Sequence, residues 1–134
     1  MFVNDLIEMS DTKGNVVTTL KGYNPSNPLH SSWSRIFSRQ KYEAQRGGKS
    51  WNITPEHAWE IINKQNWHCA LSGVQFTPGG ARNRTQMSLD RINSSIGYES
   101  GNLQYVTLVV NYMKKNLSDQ DFISICKQVA GHAK

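Results

Sequence analysis

The sequence predicts an α+β fold organised around two short strands and a helix, a ββα unit at residues 86–116. Three observations predict it. A short run typical of a strand has three apolar residues that flank Asp90 and Arg91: Met87, Leu89 and Ile92. Turn residues at 93–97 follow, and a second apolar run then marks another strand: Leu103, Tyr105 and Val106. Thr107 is a suitable N-cap for a helix that carries apolar residues from 108 to 113.

Asp90 and Asn111 are expected to converge within this unit. The fold of two strands and a helix brings the end of the first strand against the start of the helix, although the two residues are far apart in the chain. A carboxylate and an amide oxygen are hard ligands, which suit Mg²⁺ or Mn²⁺ better than zinc. The sequence therefore predicts a divalent-metal site between the first strand and the helix.

Four short motifs occur in order: C-A-L-S-G at 69–73, S-L-D-R-I at 88–92, G-Y-E-S-G-N at 97–102 and N-Y-M-K at 111–114. With these motifs, residues 50–130 resemble the HNH, or ββα-metal, endonucleases, in the branch common in phages and mobile elements. The resemblance implies a ββα-metal core, a divalent cation and hydrolysis of DNA phosphodiester bonds.

The resemblance also implies roles for individual residues. Asp90 and Asn111 would hold the cation, and Asn102 would be the Asn of the second strand that orients the catalytic base. The position of the family's catalytic His holds Arg91, in Asp-Arg-Ile where Asp-His-Ile is usual. Arginine stays protonated, so we expect Arg91 to bind the scissile phosphate.

Arg91 at the position of the catalytic His leaves the identity of the general base open. An imidazole is the usual base near neutral pH, and His68 directly precedes the turn at 69–73. Tyr98 is another candidate, and water activated by the metal is a third.

A structural zinc ion is not expected. Zinc sites of this kind need four ligands, usually from Cys-x-x-Cys pairs, and here Ser72 stands where the second Cys would be. The two cysteines, Cys69 and Cys126, are expected to be reduced and buried.

A chain of 134 residues with 37% hydrophobic residues most simply forms one domain. Residues 1–24 suggest an N-terminal extension with a hairpin, and residues 25–134 the HNH-like nuclease domain. There is no apolar run of membrane-spanning length, and the first residues do not form a signal peptide. These observations predict a cytoplasmic protein with no membrane partner, in the host cell if a phage encodes it.

The net charge of +5 and a pI near 9.4 favour an acidic partner. Much of the charge lies in a predicted helix at 31–46, ended by Gly47 and Gly48, and in a loop before the first strand. The basic helix is either a solvated surface or a DNA-backbone contact. The residues expected to contact DNA are Arg35, Arg39, Lys41, Arg46, Arg82, Arg84 and Lys114.

Two further helices are expected to form scaffold. One follows Thr54 as N-cap and Pro55 at the first helical position, and ends near residue 65. The other begins after Ser118 and has an apolar stripe expected to pack on the core: Phe122, Ile123, Cys126, Val129 and Ala130. Trp59 and Trp67 are expected in the core.

Three functions fit the sequence. The first is a metal-dependent endonuclease that nicks DNA; the second is a DNA-binding module on the same fold without cleavage. The third is a small protein-interaction module, which a flat salt dependence of binding would favour. One site per chain predicts a nick per monomer, and no segment identifies a dimer face.

Overall fold

The computed structural model describes residues 6–10, 16–20, 31–76 and 84–133. Its elements in chain order are β1 (Leu6–Ser10), β2 (Val16–Leu20), α1 (Ser31–Arg46), β3 (Trp51–Asn52), α2 (Pro55–Lys64), β4 (Met87–Arg91), β5 (Tyr98–Glu99), β6 (Leu103–Thr107), α3 (Leu108–Lys114) and α4 (Asp119–His132). No helix in these ranges is both long and apolar enough to cross a membrane.

Strands β4 and β6 form an antiparallel pair, and α3 begins at the residue after β6 ends. The register sets Asp90 opposite Gln104 and Leu89 opposite Tyr105. β4 follows the expected alternation at Met87 and Leu89, which are buried on either side of the half-buried Ser88. All five residues of β6 are buried, so both faces of that strand are covered. The predicted α+β fold with a ββα unit is confirmed.

A second strand pair was not foreseen. β3 pairs in parallel with β5, with Trp51 opposite Tyr98, and Tyr98 N donates to Ser50 O at 2.9 Å. This pair ties the loop after β4 to the segment that precedes α2. Gly97 is required there because a Cβ atom would collide with the Ser50 side chain and lie 3.0 Å from Ser50 O.

β1 and β2 pair in antiparallel fashion, with Leu6 opposite Leu20, in the stretch for which the sequence predicts a hairpin. The turn between these strands lies outside the described residues. So do the proline-containing segment at 24–28 and residues 77–83, which include Arg82 and most of the predicted basic loop at 78–86.

The core is built on aromatic side chains from α1, α2 and the turn after α2. Trp33 is fully buried and lies edge-on to Trp59, with ring centroids 4.9 Å apart. Trp67 is 6.5 Å from Trp33, and Trp33 Nε1 donates to Pro55 O at 2.9 Å. Each such pair is worth about 0.5–1.5 kcal/mol beyond the area it buries. Both Trp59 and Trp67 are therefore core residues, as predicted.

The predicted N-caps of α2 and α4 are confirmed. The Thr54 side chain accepts from His57 N, and the Ser118 side chain accepts from Asp121 N. Thr107 occupies the N-cap position of α3, but its side chain makes no cap hydrogen bond. Thr107 is 2% exposed and packs against Cys69 instead, with its backbone N donating to Cys69 Sγ at 3.3 Å. Thr107 is thus the N-cap residue, as predicted, but without the side-chain hydrogen bond that usually accompanies that position.

The predicted apolar stripe of α4 is buried only near the start of the helix. Phe122 is buried and Cys126 is half-buried, whereas Val129 is 65% exposed. The last turns of the helix extend past the core that Phe122 joins. The expectation that both cysteines are buried is correct for Cys69 and wrong for Cys126.

Candidate functional site

One open cavity of about 370 Å³ collects residues from β4, the loop after it and α3. Asp90, Arg91 and Asn111 all line it. The other lining side chains are mostly polar: Leu89, Ser94, Tyr98, Lys115 and Asn116. The convergence of Asp90 and Asn111, expected from the order of strands and helix, is present in the structure.

The two carboxylate oxygens of Asp90 have different surroundings. Oδ2 accepts from Lys114 Nζ at 2.6 Å and from Gln104 Nε2 at 3.0 Å. Within the described ranges, no hydrogen bond is made to Oδ1. The side chain is 5% exposed and lines the cavity, so one oxygen is fixed by the protein and the other is available for a ligand.

Lys114 corrects a prediction. It was expected to contact DNA, but it is 1% exposed and its Nζ lies 2.6 Å from Asp90 Oδ2 and 2.8 Å from Asp119 Oδ1. It also donates to the Arg91 carbonyl at 3.2 Å. Burial by itself lowers the pKa of the Lys114 ammonium, but the hydrogen bonds to Asp119 and Asp90 outweigh it, so the pKa is raised. The ammonium is an internal cation, and the next residue, Lys115, is the exposed lysine that lines the cavity.

Asn111 is oriented by a hydroxyl on β4. Its Nδ2 donates to Ser88 Oγ at 2.7 Å. Because Nδ2 is engaged there, the amide oxygen is left for a ligand on the other side of the group. In the part of the chain that the structure describes, that oxygen makes no hydrogen bond.

Arg91 is held by the loop that follows its own strand. Its Nη1 donates to Ser94 O at 2.7 Å and to Ile96 O at 3.1 Å, and its guanidinium carbon lies 5.4 Å from the centroid of the Tyr98 ring. A guanidinium carries five N–H donors, so further donors remain for an anion in the cavity.

Asn102, the residue before β6, holds the same loop from its other end. Its Oδ1 accepts from Asn93 N at 2.8 Å, and its Nδ2 donates to Asn93 O at 3.1 Å and Gly97 O at 2.9 Å. The side chain is 7% exposed. Asn102 thus fixes the loop whose carbonyls hold Arg91, and its contacts are with this loop rather than with a base.

Of the two side chains considered as a base, only Tyr98 lies at the cavity. Burial raises the pKa of the Tyr98 phenol, against a lowering by the neighbouring Arg91, and the net direction is upward. The phenol is therefore protonated near neutral pH. His68 lies elsewhere, with Nδ1 2.6 Å from Asn66 O and its backbone bridged to Gln75, and it does not line the cavity.

The donor set fits a hard divalent cation that keeps most of its water. Asp90 and Asn111 each offer one oxygen to an open polar cavity. In the described ranges there is no group of three or more His, Cys, Asp or Glu side chains arranged to hold a metal. A site with so few protein ligands suits Mg²⁺, which dehydrates reluctantly.

The Cys69 thiol is engaged by backbone N–H groups. Ser72 N lies 3.4 Å and Thr107 N 3.3 Å from Cys69 Sγ. Burial raises the pKa of the thiol, but these hydrogen bonds outweigh it and the net direction is downward. The expectation that no structural zinc is bound stays a prediction.

A wider cleft of about 580 Å³ lies between α1 and the ββα unit. It shares Leu89, Tyr98 and Asn111 with the smaller cavity, so the two are adjacent. Its charged lining residues are Arg39, Lys49 and Glu43. The other described cations expected to contact DNA are exposed on α1 or before β4: Arg35, Lys41, Arg46 and Arg84.

Comparison with known proteins gave one informative similarity. No protein-family model and no curated protein matches the chain. Among solved structures, it is similar to the rare-cutting HNH restriction endonuclease PacI, with a TM-score of 0.59 and 15% sequence identity over 93% of this chain and 94% of that one. The chain has the fold of an HNH endonuclease. At this level of identity the similarity concerns the fold alone.

Sequence reasoning missed Gln104, Asp119 and Ser88. Gln104 and Ser88 had a local signal, because each is a polar residue within a strand whose neighbours are apolar. No local signal marked Asp119, because it reaches the site only through the packing of α4, which places it in an ion pair with Lys114.

Proposed function

We propose that the protein is a metal-dependent endonuclease that hydrolyses DNA phosphodiester bonds, one strand at a time. The observation that carries the proposal is the shared cavity of Asp90, Arg91 and Asn111, which is adjacent to a wider cleft that Arg39 and Lys49 line. The fold shared with an HNH endonuclease supports it.

Asp90 Oδ1 and Asn111 Oδ1 would hold the cation, together with water. A bound Mg²⁺ or Mn²⁺ supplies positive charge for the phosphate and the departing oxygen, and lowers the pKa of water. Arg91 would bind a non-bridging phosphate oxygen with the guanidinium donors that its loop contacts leave over. Its anchorage to Ser94 and Ile96 keeps the guanidinium in place before DNA arrives.

The proton released by the attacking water would go to solvent. Tyr98 is protonated near neutral pH because its pKa is raised, so it is suited to donate a hydrogen bond rather than to accept a proton. His68 lies outside the cavity. The cavity is open, so bulk water reaches the reacting atoms.

DNA would enter through the wider cleft. Arg39 and Lys49 in the cleft, with the other exposed cations of α1, would contact phosphates of the DNA backbone. Such contacts supply affinity without recognising the base sequence. Binding should therefore weaken steeply as salt rises.

A DNA-binding module without cleavage is the second candidate. One observation favours it: among the described residues, no imidazole lines the cavity. Such a module would bind DNA with the same salt dependence and leave the phosphodiester intact.

Nicking of supercoiled plasmid separates the two candidates. The protein is incubated with Mg²⁺, with Mn²⁺ or with chelator, beside Asp90→Ala, Arg91→Ala and Arg91→His, with Glu60→Gln as a control for loss of an exposed carboxylate. We expect metal-dependent nicking that Asp90→Ala abolishes and Glu60→Gln retains. DNA binding without nicking by the wild type, together with nicking by Arg91→His, would establish the binding module instead.

A further inference from the structure

Lys114 and Gln104 are buried polar residues with no direct role in the proposed reaction. Lys114 is 1% and Gln104 is 9% exposed. Both donate to the same atom, Asp90 Oδ2, from different elements: Lys114 from the last turn of α3 and Gln104 from β6. Placing two donors on one carboxylate oxygen fixes the rotation of that carboxylate.

A second carboxylate, that of Asp119, also accepts hydrogen bonds from Lys114 and Gln104. Asp119, at the start of α4, lies 2.8 Å from Lys114 Nζ, and its two oxygens are each 3.2 Å from Gln104 Nε2. Lys114 is therefore fixed from both sides, and Gln104 bridges two carboxylates with one nitrogen.

We propose that Lys114 and Gln104 are positioning residues that hold Asp90 Oδ2 and thereby direct Oδ1 to the metal. Asp119 keeps both of them in place. The inference rests on the proposed function, because it takes Asp90 to be a metal ligand. It adds that the ligand is presented through one oxygen by a buried network from β6, α3 and α4.

Positioning and simple charge effects predict opposite results for Lys114→Met. This change removes a positive charge beside a metal ligand, so charge alone would tighten cation binding. Positioning predicts weaker Mn²⁺ binding, because Asp90 loses its shortest hydrogen bond. Without the Lys114 ammonium, the Asp90 and Asp119 carboxylates would also face each other with no positive charge between them. Gln104→Met removes a donor without changing charge, so its effect reports orientation directly.

The test measures Mn²⁺ binding to the full chain by the electron paramagnetic resonance signal of free Mn²⁺, and nicking as a function of Mn²⁺ concentration. We expect half-saturation to need at least tenfold more Mn²⁺ for Lys114→Met and about threefold more for Gln104→Met. At saturating Mn²⁺, we expect nicking by Gln104→Met to return to within about threefold of wild type. Phe122→Leu, a buried change on α4 outside the network, should lower stability and leave Mn²⁺ half-saturation unchanged.

The outcomes are distinct. Unchanged or tighter Mn²⁺ binding by both variants would overturn the positioning role while leaving the nuclease proposal intact. A wild-type protein that neither binds Mn²⁺ nor nicks would overturn the proposed function itself. Removing one partner of a buried ion pair is strongly destabilising; if Lys114→Met does not fold, Gln104→Met, which leaves no unpaired charge, decides alone.

Discussion

The guanidinium carbon of Arg91 lies 5.4 Å from the centroid of the Tyr98 ring, and Tyr98 is the residue that β5 pairs with Trp51 of β3. Arg91 also donates to two carbonyls of the intervening loop. An arginine at this position therefore organises the loop and the cavity wall as well as offering donors to an anion. Histidine, which is shorter and lacks the fork of donors, could not make the same set of contacts.

Arg91→Lys should lower nicking by about 10–100-fold, because lysine keeps the charge but has a single nitrogen in place of the planar guanidinium, in which Nη1 binds the loop carbonyls and other N–H groups remain for the phosphate. DNA binding should change much less. Plasmid nicking and filter binding at one salt concentration check this. Arg46→Lys, at the exposed end of α1, is the matched control and should nick normally; equal losses in the two variants would contradict the assigned role of Arg91.

Asn102→Ala should lower the free energy of unfolding by about 2 kcal/mol, because it removes the buried side chain whose hydrogen bonds hold the loop at 93–97 and leaves Asn93 N without its partner. Nicking should fall as well, since the loop carries the carbonyls that hold Arg91. Urea unfolding measures the first effect. Asn52→Ala, at an exposed asparagine, should change stability by less than about 0.5 kcal/mol.

Gly97→Ala should destabilise the protein by about 1–3 kcal/mol, because the new methyl group meets Ser50 where β3 and β5 pair. Adding Ser50→Gly removes the colliding side chain and should restore part of the loss. Gly131→Ala, in helix α4 with no atom near the added Cβ, should stabilise the helix slightly. Denaturation midpoints of the wild type, the two single variants and the double variant check these expectations. If the double variant is no more stable than Gly97→Ala, the Ser50 side chain is not the obstacle.

Stability should decline above about pH 10. Burial raises the pKa of the Tyr105 phenol well above its ordinary 10.0, although the hydrogen bond to Gln40 lowers it. The folded state thus keeps this proton after the unfolded chain has lost it, so the stabilisation present below pH 10 is lost as pH rises, at about 1.4 kcal/mol per pH unit. Tyr105→Phe should remove part of this decline. Some decline should remain, because the pKa of Lys114 is also raised in the folded state, so its stabilisation is likewise lost as pH rises. Urea unfolding between pH 8 and pH 11 gives the slope.

Lys115→Ala should weaken DNA binding and reduce the dependence of log K on log salt by about one unit, because Lys115 is exposed at the cavity. Lys64→Ala removes an exposed lysine of α2 that lines neither cavity and should leave the slope unchanged. Titrations of a DNA duplex at several salt concentrations measure both slopes. Equal slopes for the wild type and Lys115→Ala would remove Lys115 from the DNA surface.

The ββα unit could be predicted because its signals are local. Short apolar runs bounded by turn residues mark β4 and β6, and the caps of α2 and α4 depend on residues three positions apart. The β3–β5 pair could not be predicted in the same way: each strand has two residues, and their pairing depends on distant parts of the chain meeting.

The burial of Lys114 was missed because lysine is almost never fully buried unless it is paired. A signal was nevertheless present. Lys114 is three residues after Asn111, so both lie on one face of α3, and that face had already been assigned to Asp90. The partner on α4, Asp119, came from tertiary packing that no short pattern encodes.

The tryptophans can report on two regions of the molecule by their fluorescence. Trp33, Trp59 and Trp67 are 0–6% exposed and surround one another, so their emission reports whether the core is intact. Trp51 is half-buried at the edge of the core: its ring lies 5.3 Å from that of Phe37 on one side and 5.2 Å from that of Tyr98, at the cavity wall, on the other. With Trp51→Phe as the reference, intrinsic fluorescence can follow ligand arrival at the cavity and unfolding of the core in one sample, without an attached dye.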